Sequence, residues 1–529
     1  MRRRGRDQSE TATDTKREVP EPNYGNSWSQ FASSKTAIGV LFVFRLVNAF
    51  SIKTFFQPDE YYQSLEPAHR YVFGYGYETW EWKYGLRSSL HVWIYILTYK
   101  LGLLLPFSEE VVVAYGPKVT GALLATVSEV YLFKFAQNFA SSVGGYHKRL
   151  ALTAVLLSLT NPFNWFFITR SFSNGFEMLL TVAALSHWPW HRRNFTYGSF
   201  YISCAFAFAS CLVRPTNGII WFVLAIRFLW ERPWSYQLLK LIVAVFLELG
   251  AVAGVSTLLD YAFYGHWTFP TYNFLEFNVF RNFSIFYGSA PWHFHVGQSL
   301  PVLLTTQLPF ALTSFAANLY STLNSLVAIN VAAFSLISHK EFRFLYPLQP
   351  IFMVMGAPVV IKLWKWKQKW KIILVSVYFS LSVAISLFFT LRHERGVLEV
   401  VQFLSSDVSV TKFAVLAPCH STPWQSHLHQ KRLDDSWFVT CEPPLGLEGS
   451  SSIIVANYKD ESDVFYDDPA TYIKQLQPGL SHVVAFEPLH ELLTSMGYVE
   501  QRRFFNSDFH WDERRWGDII VYASPASSY

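Results

Sequence analysis

Residues 362–391, KLWKWKQKWKIILVSVYFSLSVAISLFFTL, contain the clearest indication of the fold class. The first ten of these residues include five lysines, and the twenty that follow carry no charged side chain. A helix needs about twenty apolar residues to cross a bilayer, and lysine-rich loops remain on the cytosolic side. The stretch therefore predicts a membrane-spanning helix, with residues 392–529 on the opposite side of the membrane from the lysines.

The composition extends this prediction to the whole chain. Hydrophobic residues make up 51% of the 529 residues and charged residues 15%, against roughly 25% charged residues in soluble domains. Aromatic residues reach 18%, which is typical of many spans whose ends lie in aromatic belts. No basic stripe is interleaved with base-stacking aromatics, so we expect contacts with membrane lipids and no nucleic-acid partner.

Twelve apolar segments predict a polytopic α-helical membrane protein. Basic residues cluster at the N-terminus and in short loops, which places the N-terminus in the cytosol and the polar regions 54–90, 261–298 and 392–529 in a lumen. That topology needs an odd number of crossings, so we expect about eleven spanning helices. The segments lie at 36–53, 91–107, 111–137, 149–168, 174–190, 197–213, 216–230, 238–260, 299–316, 319–338, 342–361 and 372–391.

The apolar segment that does not cross has two candidates. Arg214-Pro215-Thr216 interrupts the pair at 197–230, and membranes tolerate a broken helix where it lines a cavity. This pair is the first candidate, and the short segments between 91 and 137 are the second.

Three regions follow from this organisation. Residues 1–35 are polar and predict a disordered cytosolic tail. Residues 36–391 predict a transmembrane catalytic domain with lumenal loops 54–90 and 261–298. Residues 392–529 predict a small mixed α/β lumenal domain, because short β-like runs occur at 452–456, 483–486 and 518–522.

The first candidate site follows the first apolar segment, at Gln57-Pro58-Asp59-Glu60. Proline suits the first turn of a helix, where carboxylates are also favoured. The pair therefore fits helix-capping carboxylates at a membrane edge. It also fits a carboxylate base for transfer to an acceptor hydroxyl. Further along the same loop, Glu66, His69 and Trp80 are candidate contacts to the acceptor or its sugar, because dense polar side chains predict a cavity near the headgroups.

Two more groups of residues carry possible binding chemistry. His339, Lys340 and Arg343 lie in one predicted lumenal turn and can bind a phosphate. Interfacial snorkelling is the alternative, although few basic residues are expected on the lumenal side. In the second lumenal loop, Trp292 and His293 can recognise a sugar or headgroup, or belong to an interfacial aromatic patch.

The four cysteines predict one disulfide and no metal site. Cys419 and Cys441 are the only cysteines beyond the last apolar segment, in a compartment predicted to be oxidising. We expect them to be bonded, with two free thiols as the alternative. No Cys-x-x-Cys pattern occurs, and no His-x-x-x-His pattern suggests a metal site, so metal-independent chemistry is expected.

These blocks resemble glycosyltransferase family 22, the dolichol-phosphate-mannose-dependent mannosyltransferases of the endoplasmic reticulum (ER) with the multi-span C-type fold. One departure is Gln57, where many members have histidine. The blocks are Pro58-Asp59-Glu60, Glu66-Pro67, Gly74-Tyr75-Gly76, Thr79-Trp80-Glu81, Leu86-Arg87-Ser88 and His339 to Phe344 with Pro347 and Pro350.

The resemblance implies an inverting mannosyltransferase without a cofactor. Dolichyl phosphate mannose would be the donor substrate. One carboxylate would act as base, Asp59 with Glu60 as its partner or as the alternative base. Cations from Arg87, Lys340 or Arg343, near His339, would stabilise the leaving phosphate in place of a metal.

Within the family, four stretches resemble the members that build the glycosylphosphatidylinositol (GPI) anchor. They imply transfer of the third, α1,2-linked mannose to the GPI precursor in the ER lumen. Addition of the fourth GPI mannose and N-glycan α-mannosyl transfer are the related alternatives. A lipid transporter or scramblase is the alternative outside the class, although it would need polar residues spread through the spans. The stretches lie at 62–66, 287–293, 338–344 and 418–423.

Overall fold

The computed structural model describes residues 35–143, 147–191, 195–281, 286, 288–445, 454–455, 457–476 and 479–525. The predicted cytosolic tail therefore lies outside the described residues except for residue 35, and so does most of the run at 452–456. All twelve apolar segments form helix in the structure. Their helices are Lys35–Ser51, Leu90–Gly102, Glu109–Val143, His147–Thr160 with Pro162–Phe167, Ser173–His187, Tyr197–Val213, Gly218–Trp230, Tyr236–Tyr264, Leu300–Leu304 with Leu308–Ala316, Ser321–Leu336, Gln349–Leu363 and Gln368–Leu391.

Five helical stretches in the described part of the chain are long and apolar enough to cross a membrane. The others that correspond to apolar segments are shorter, and two stretches among them, 149–168 and the pair at 197–230, are interrupted at a proline, Pro162 or Pro215, which lacks a backbone donor. The five are Glu109–Ser141, Tyr236–Tyr264, His295–Ala316, Phe342–Leu363 and Gln368–Ser406.

The predicted break in the pair 197–230 is present. A single 3₁₀ turn, Pro215–Asn217, separates the two helices. The Asn217 side chain accepts a hydrogen bond from Ser210 at 2.7 Å and donates one to Glu177 at 2.9 Å. Polar side chains thus compensate for the interrupted backbone ladder, as a broken helix in a membrane requires.

The helix Leu90–Gly102 contacts both neighbouring helices and the C-terminal region. Thr98 lies 2.7 Å from Thr120 of the helix Glu109–Val143, and Trp93 donates to the carbonyl of Leu259 at 3.1 Å. The buried residues Tyr95 and Tyr99 of Leu90–Gly102 share one apolar cluster with Val400 and Val415 of the C-terminal region. The next helix begins at Glu109, whose carboxylate lies 3.5 Å from His429 of the same region. The structure thus places segment 91–107 beside the C-terminal domain as well as beside other helices, and which apolar segment does not cross stays a prediction.

The C-terminal region forms the mixed α/β domain that the sequence predicts. Its five strands are β1 (Phe413–Leu416), β2 (Trp437–Phe438), β3 (His482–Phe486), β4 (Val499–Phe504) and β5 (Ile519–Ala523). They are ordered β2-β1-β3-β5-β4, with β1 parallel to β2 and β3, and β5 antiparallel to β3 and β4. The predicted runs at 483–486 and 518–522 correspond to β3 and β5, whereas no predicted run corresponds to β1, β2 or β4.

Side chains alternate between the two faces of the sheet, and both faces are buried along β1, β3 and β5, whereas β4 is mostly exposed. Phe413 and Val415 pack toward the helix Gly396–Ser406 and the loop after the first helix. Ala414 and Leu416 pack on the other face, against short helices of the domain. Those helices are Glu461–Asp467, Pro469–Lys474 and His490–Ser495, whereas Gln425–Leu428 lies on the first face. Further α-helices in the described residues are Glu66–Phe73, Trp80–Lys83 and Pro270–Leu275.

Candidate active site

A cavity of about 1310 Å³ lies where the helical bundle meets the C-terminal domain. Its wall includes the loop after the first helix, the broken helix, the turn at 338–344 and the C-terminal domain, together with residues at 162–166, 274–278, 301–305 and 385–389. Of the predicted site residues, Asp59, Trp80, Arg87, His339 and Arg343 line it. The structure thus brings together two motifs that lie far apart in the sequence.

Asp59 stands at the start of a helical turn on this wall. The carbonyl of Pro58 accepts hydrogen bonds from Tyr61 at 2.9 Å and Tyr62 at 3.0 Å, so the proline begins the helix as the sequence predicts. The Asp59 carboxylate is about one-quarter exposed and accepts a hydrogen bond from Nη2 of Arg343. The carboxylate is therefore both oriented by a cation and open to the cavity.

Arg343 is shared between two carboxylates. Its Nε donates to Glu341 at 2.6 Å while Nη2 reaches Asp59 and Glu341. Nη1 has no hydrogen-bond partner among the described residues. Burial would raise the pKa of Glu341, but the adjoining Arg343 and His339 hold that pKa well below its ordinary value. Glu341 therefore stays ionised and fixes the guanidinium beside Asp59.

Arg87 supplies a second cation to the cavity wall. Its Nη2 donates to Glu81 at 2.6 Å, and both residues line the cavity. Nε of Arg87 has no hydrogen-bond partner among the described residues. His339 also lines the wall, with its Nε2 lying 3.2 Å from Glu341. A phosphate entering here would meet a ring of cationic and polar groups.

Lys340, predicted to bind phosphate, lies off the cavity wall. Its ammonium group donates to the backbone carbonyls of Ala290 at 2.8 Å and Ile337 at 2.5 Å, with Ser338 at 3.5 Å. An ammonium has three donors, so these carbonyls occupy all of them. Lys340 ties the turn to the second loop instead of serving a ligand.

Glu60, predicted as the partner or alternative base, is also off the wall. It is buried and pairs with Arg170 at 2.8 Å. Arg170 in turn donates to the carbonyl of Thr54 at 2.8 Å. Burial raises the pKa of Glu60, although Arg170 opposes this. The pair anchors the loop that presents Asp59.

Glu66 and His69, predicted as acceptor contacts, join the loop to the C-terminal domain. The Glu66 carboxylate accepts backbone N–H groups of Tyr77 at 3.1 Å, Gln425 at 3.1 Å and Ser426 at 2.8 Å. Nε2 of His69 lies 2.9 Å from Nδ1 of His429. Both residues are fully buried, so neither reaches the cavity.

Trp292 and His293, the other predicted sugar contacts, are exposed and lie outside the lining of the cavity. Trp292 exposes 73% of its surface. Of the motif that contains them, Tyr287 lies outside the described residues. An exposed aromatic pair away from the polar cavity matches the alternative interpretation, an interfacial patch.

Sequence reasoning missed cavity residues that lie in other parts of the chain. Arg214 lines the wall with its Nε 3.4 Å from Glu177. The C-terminal domain adds Glu394, which lies 2.7 Å from His510 and 3.1 Å from Arg515. The signal for Arg214 was its position in an apolar run next to Pro215. No local pattern marks Glu394.

The predicted disulfide joins Cys419 and Cys441, whose Cα atoms lie 5.5 Å apart. Both cysteines line the cavity, as does His420. The three side chains lie close enough together to resemble a metal site. Because both sulfurs are bonded to each other, neither is the thiolate that binds a metal.

Comparison with known proteins adds a family to this geometry. A model of the Alg9-like mannosyltransferase family matches residues 36–429. GPI mannosyltransferase 3 of Debaryomyces hansenii is 48% identical over 506 residues, covering 91% of each chain. That of Candida albicans is 45% identical, covering 93% of this chain and 99% of the relative. The GPI alpha-1,2-mannosyltransferase 3 of Danio rerio is 34% identical, covering 90% and 88%.

Among solved structures, ArnT from Cupriavidus metallidurans bound to undecaprenyl phosphate resembles this chain over its length. The TM-score is 0.57 at 11% identity, with 93% of this chain and 98% of that one covered. At this identity the likeness concerns the fold alone. It agrees with a polytopic membrane fold of the kind that the sequence predicts.

Proposed function

The chain belongs to the Alg9-like mannosyltransferase family, and from this we propose that it transfers mannose from dolichyl phosphate mannose to the GPI precursor. The mannose added would be the third, α1,2-linked to the second. The names of the relatives support the acceptor and the linkage, and the residue blocks at 58–60 and 339–344 support the donor. The reaction would take place on the lumenal side of the ER membrane.

The observation that carries the proposal is the pairing of Asp59 with Arg343 on the wall of one large cavity. Transfer from a β-linked mannosyl phosphate to an α-mannoside inverts the anomeric carbon. A single in-line displacement achieves this with one base and one leaving group. Asp59 is the base in this proposal, because Glu60 is buried against Arg170.

In the displacement, Asp59 accepts the proton of the acceptor hydroxyl as the hydroxyl oxygen bonds to the anomeric carbon. The bond from that carbon to the phosphate oxygen breaks, and dolichyl phosphate leaves with the electron pair. Nη1 of Arg343, together with Arg87, would stabilise the negative charge of the leaving phosphate. A guanidinium is a rigid fork, so Arg343 can contact the base with one arm and the phosphate with the other.

The proposal is tested with purified protein in lipid nanodiscs. Dolichyl phosphate mannose and a GPI precursor carrying two mannoses should yield the three-mannose product, with an α1,2 linkage that a linkage-specific mannosidase cleaves. A precursor that already carries three mannoses and a nucleotide-sugar donor serve as controls. Transfer only to the three-mannose precursor, or only from the nucleotide sugar, would overturn the proposal.

A further inference from the structure

His420 occupies an unusual position on the cavity wall. Its φ is +53°, in the left-handed region that side-chain-bearing residues rarely adopt. Such a conformation persists where the surroundings hold it in place, and it is enriched at functional sites. Here the neighbouring Cys419 is bonded to Cys441, and Ser421 N–H donates to the carbonyl of Pro418 at 3.2 Å.

The imidazole of His420 is held on two sides and unsatisfied at one nitrogen. Its ring centroid lies 4.2 Å from that of Tyr62, in the loop that carries Asp59. Its Nδ1 lies 3.1 Å from Sγ of Cys419. Its Nε2 is shielded from water and has no hydrogen-bond partner among the described residues. A buried polar atom without a partner is costly to the folded protein and needs an explanation.

The charge state of His420 indicates which substrate it suits. Burial lowers the pKa of His420 to about 4, although nearby Asp59 opposes the shift. The ring is therefore neutral near pH 7, when it can donate or accept a hydrogen bond but cannot neutralise a phosphate. Arg343 and Arg87 already supply positive charge on the same wall. A sugar hydroxyl is the matching partner for a neutral imidazole.

We propose that His420 binds the acceptor glycan, with its Nε2 hydrogen-bonded to a hydroxyl of the mannose that receives the new residue, and that the Cys419–Cys441 disulfide positions it. This inference rests on the proposed function and names the part of the C-terminal domain that holds the acceptor beside Asp59. The block at 418–423, which has no role in the displacement itself, gains a function in this way.

The test compares His420→Ala, His420→Gln and the control His427→Gln in nanodiscs. His427 lies in the same segment but off the cavity wall, with its ring 4.9 Å from Tyr61. We expect His420→Ala to raise the acceptor KM about tenfold, the usual effect of losing one hydrogen bond. The donor KM should change less than twofold. His420→Gln should restore part of the acceptor affinity, and His427→Gln should match the wild type.

The role of the disulfide is tested by combining variants. Cys419→Ala with Cys441→Ala should raise the acceptor KM by about as much as His420→Ala, and the triple variant should show little further increase, because coupled residues are not additive. Melting temperatures identify variants that fail to fold. If His420→Ala fails to fold, the acceptor KM of His420→Gln is compared with that of the wild type instead.

Four results would overturn the inference or the positioning role of the disulfide within it. If the wild type is active and folded His420→Ala and His420→Gln have the same acceptor KM as the wild type, the inference is refuted and the proposed function is left intact. A donor KM that rises instead refutes the inference as well. A wild type that transfers no mannose to the two-mannose precursor refutes both, and multiplicative effects of the cysteine and His420 variants refute the positioning role of the disulfide.

Discussion

Asp59 and Arg343 lie 284 positions apart in the chain and form an ion pair on the wall of the cavity. Glu341 accepts from Nε of the same guanidinium at 2.6 Å. This arrangement puts the candidate base in direct contact with the arginine that is the candidate for binding the phosphate.

Asp59→Asn should reduce mannose transfer by about 10²–10⁴-fold, the usual effect of losing a general base. The amide can still accept a hydrogen bond from Arg343, so expression and melting temperature should remain close to wild type. Single-turnover transfer in nanodiscs measures the loss. Near-normal activity in Asp59→Asn would show that Asp59 is not the base.

Glu60→Gln is the matched control for Asp59, because it makes the same change one residue later. Its carboxylate faces Arg170 at 2.8 Å, away from the cavity. Breaking one side of a buried ion pair is strongly destabilising, so we expect a lower melting temperature. Activity per folded molecule should be preserved. Loss of activity in well-folded Glu60→Gln alone would move the role of base to that residue.

Arg343→Lys should lower transfer by about 10²–10³-fold, as expected for a lost electrostatic contact to the transition state. Lysine keeps the charge, but it has no fork to contact Asp59 and a phosphate together. Lys340→Met is the comparison, since the Lys340 donors are occupied by three carbonyls. It should reduce stability and leave the donor KM unchanged. A raised donor KM in Lys340→Met would show that Lys340 contributes to binding the donor phosphate.

Glu66 should make stability fall as the pH rises from about 4.5 to about 7. Burial raises the pKa of Glu66 from 4.5 to about 7, although the backbone N–H groups of Ser426, Tyr77 and Gln425 oppose the shift. Between these values the folded protein binds more protons than the unfolded chain, so raising the pH destabilises the fold. The contribution is present below about pH 4.5 and lost above about pH 7.

The measurement is the melting temperature across that pH range for wild type and Glu66→Gln. The amide does not titrate, so its profile should be flatter than that of the wild type. Other ionisable groups act equally on both proteins and cancel in the difference. A difference between the two profiles that does not change with pH would contradict the role of Glu66.

Chelation should leave transfer unchanged. The cluster of Cys419, His420 and Cys441 is the one metal-like group of three or more such side chains in the described part of the chain, and its sulfurs form a disulfide. Activity is measured with EDTA, with and without added Mg²⁺ or Mn²⁺. Inhibition by EDTA that either ion reverses would show that a metal takes part.

Features that depend on neighbouring residues could be predicted from the sequence. The apolar runs are helical because a helix satisfies its backbone hydrogen bonds within one segment. Pro215 predicted the break at 215–217 because it cannot donate to the helical ladder. Pro58 predicted the helical turn that begins at Asp59. Cys419 and Cys441 were identified as a pair because the region holds no other cysteine.

Which partners those residues meet depends on the folded chain. The apolar side chains of the helix Leu90–Gly102 suit protein and lipid equally well, so the sequence could not show that Tyr95 and Tyr99 share a buried cluster with residues of the C-terminal region. Local sequence could not show that the Lys340 ammonium donates to distant backbone carbonyls, or that the Glu66 carboxylate accepts from distant backbone N–H groups. It also could not show which of Asp59 and Glu60 faces the cavity, because this depends on their partners. Asp59 pairs with Arg343, and Glu60 pairs with the buried Arg170. Charge and hydrogen-bonding capacity are properties of a residue, whereas their use depends on which groups the folded chain brings within about 3 Å.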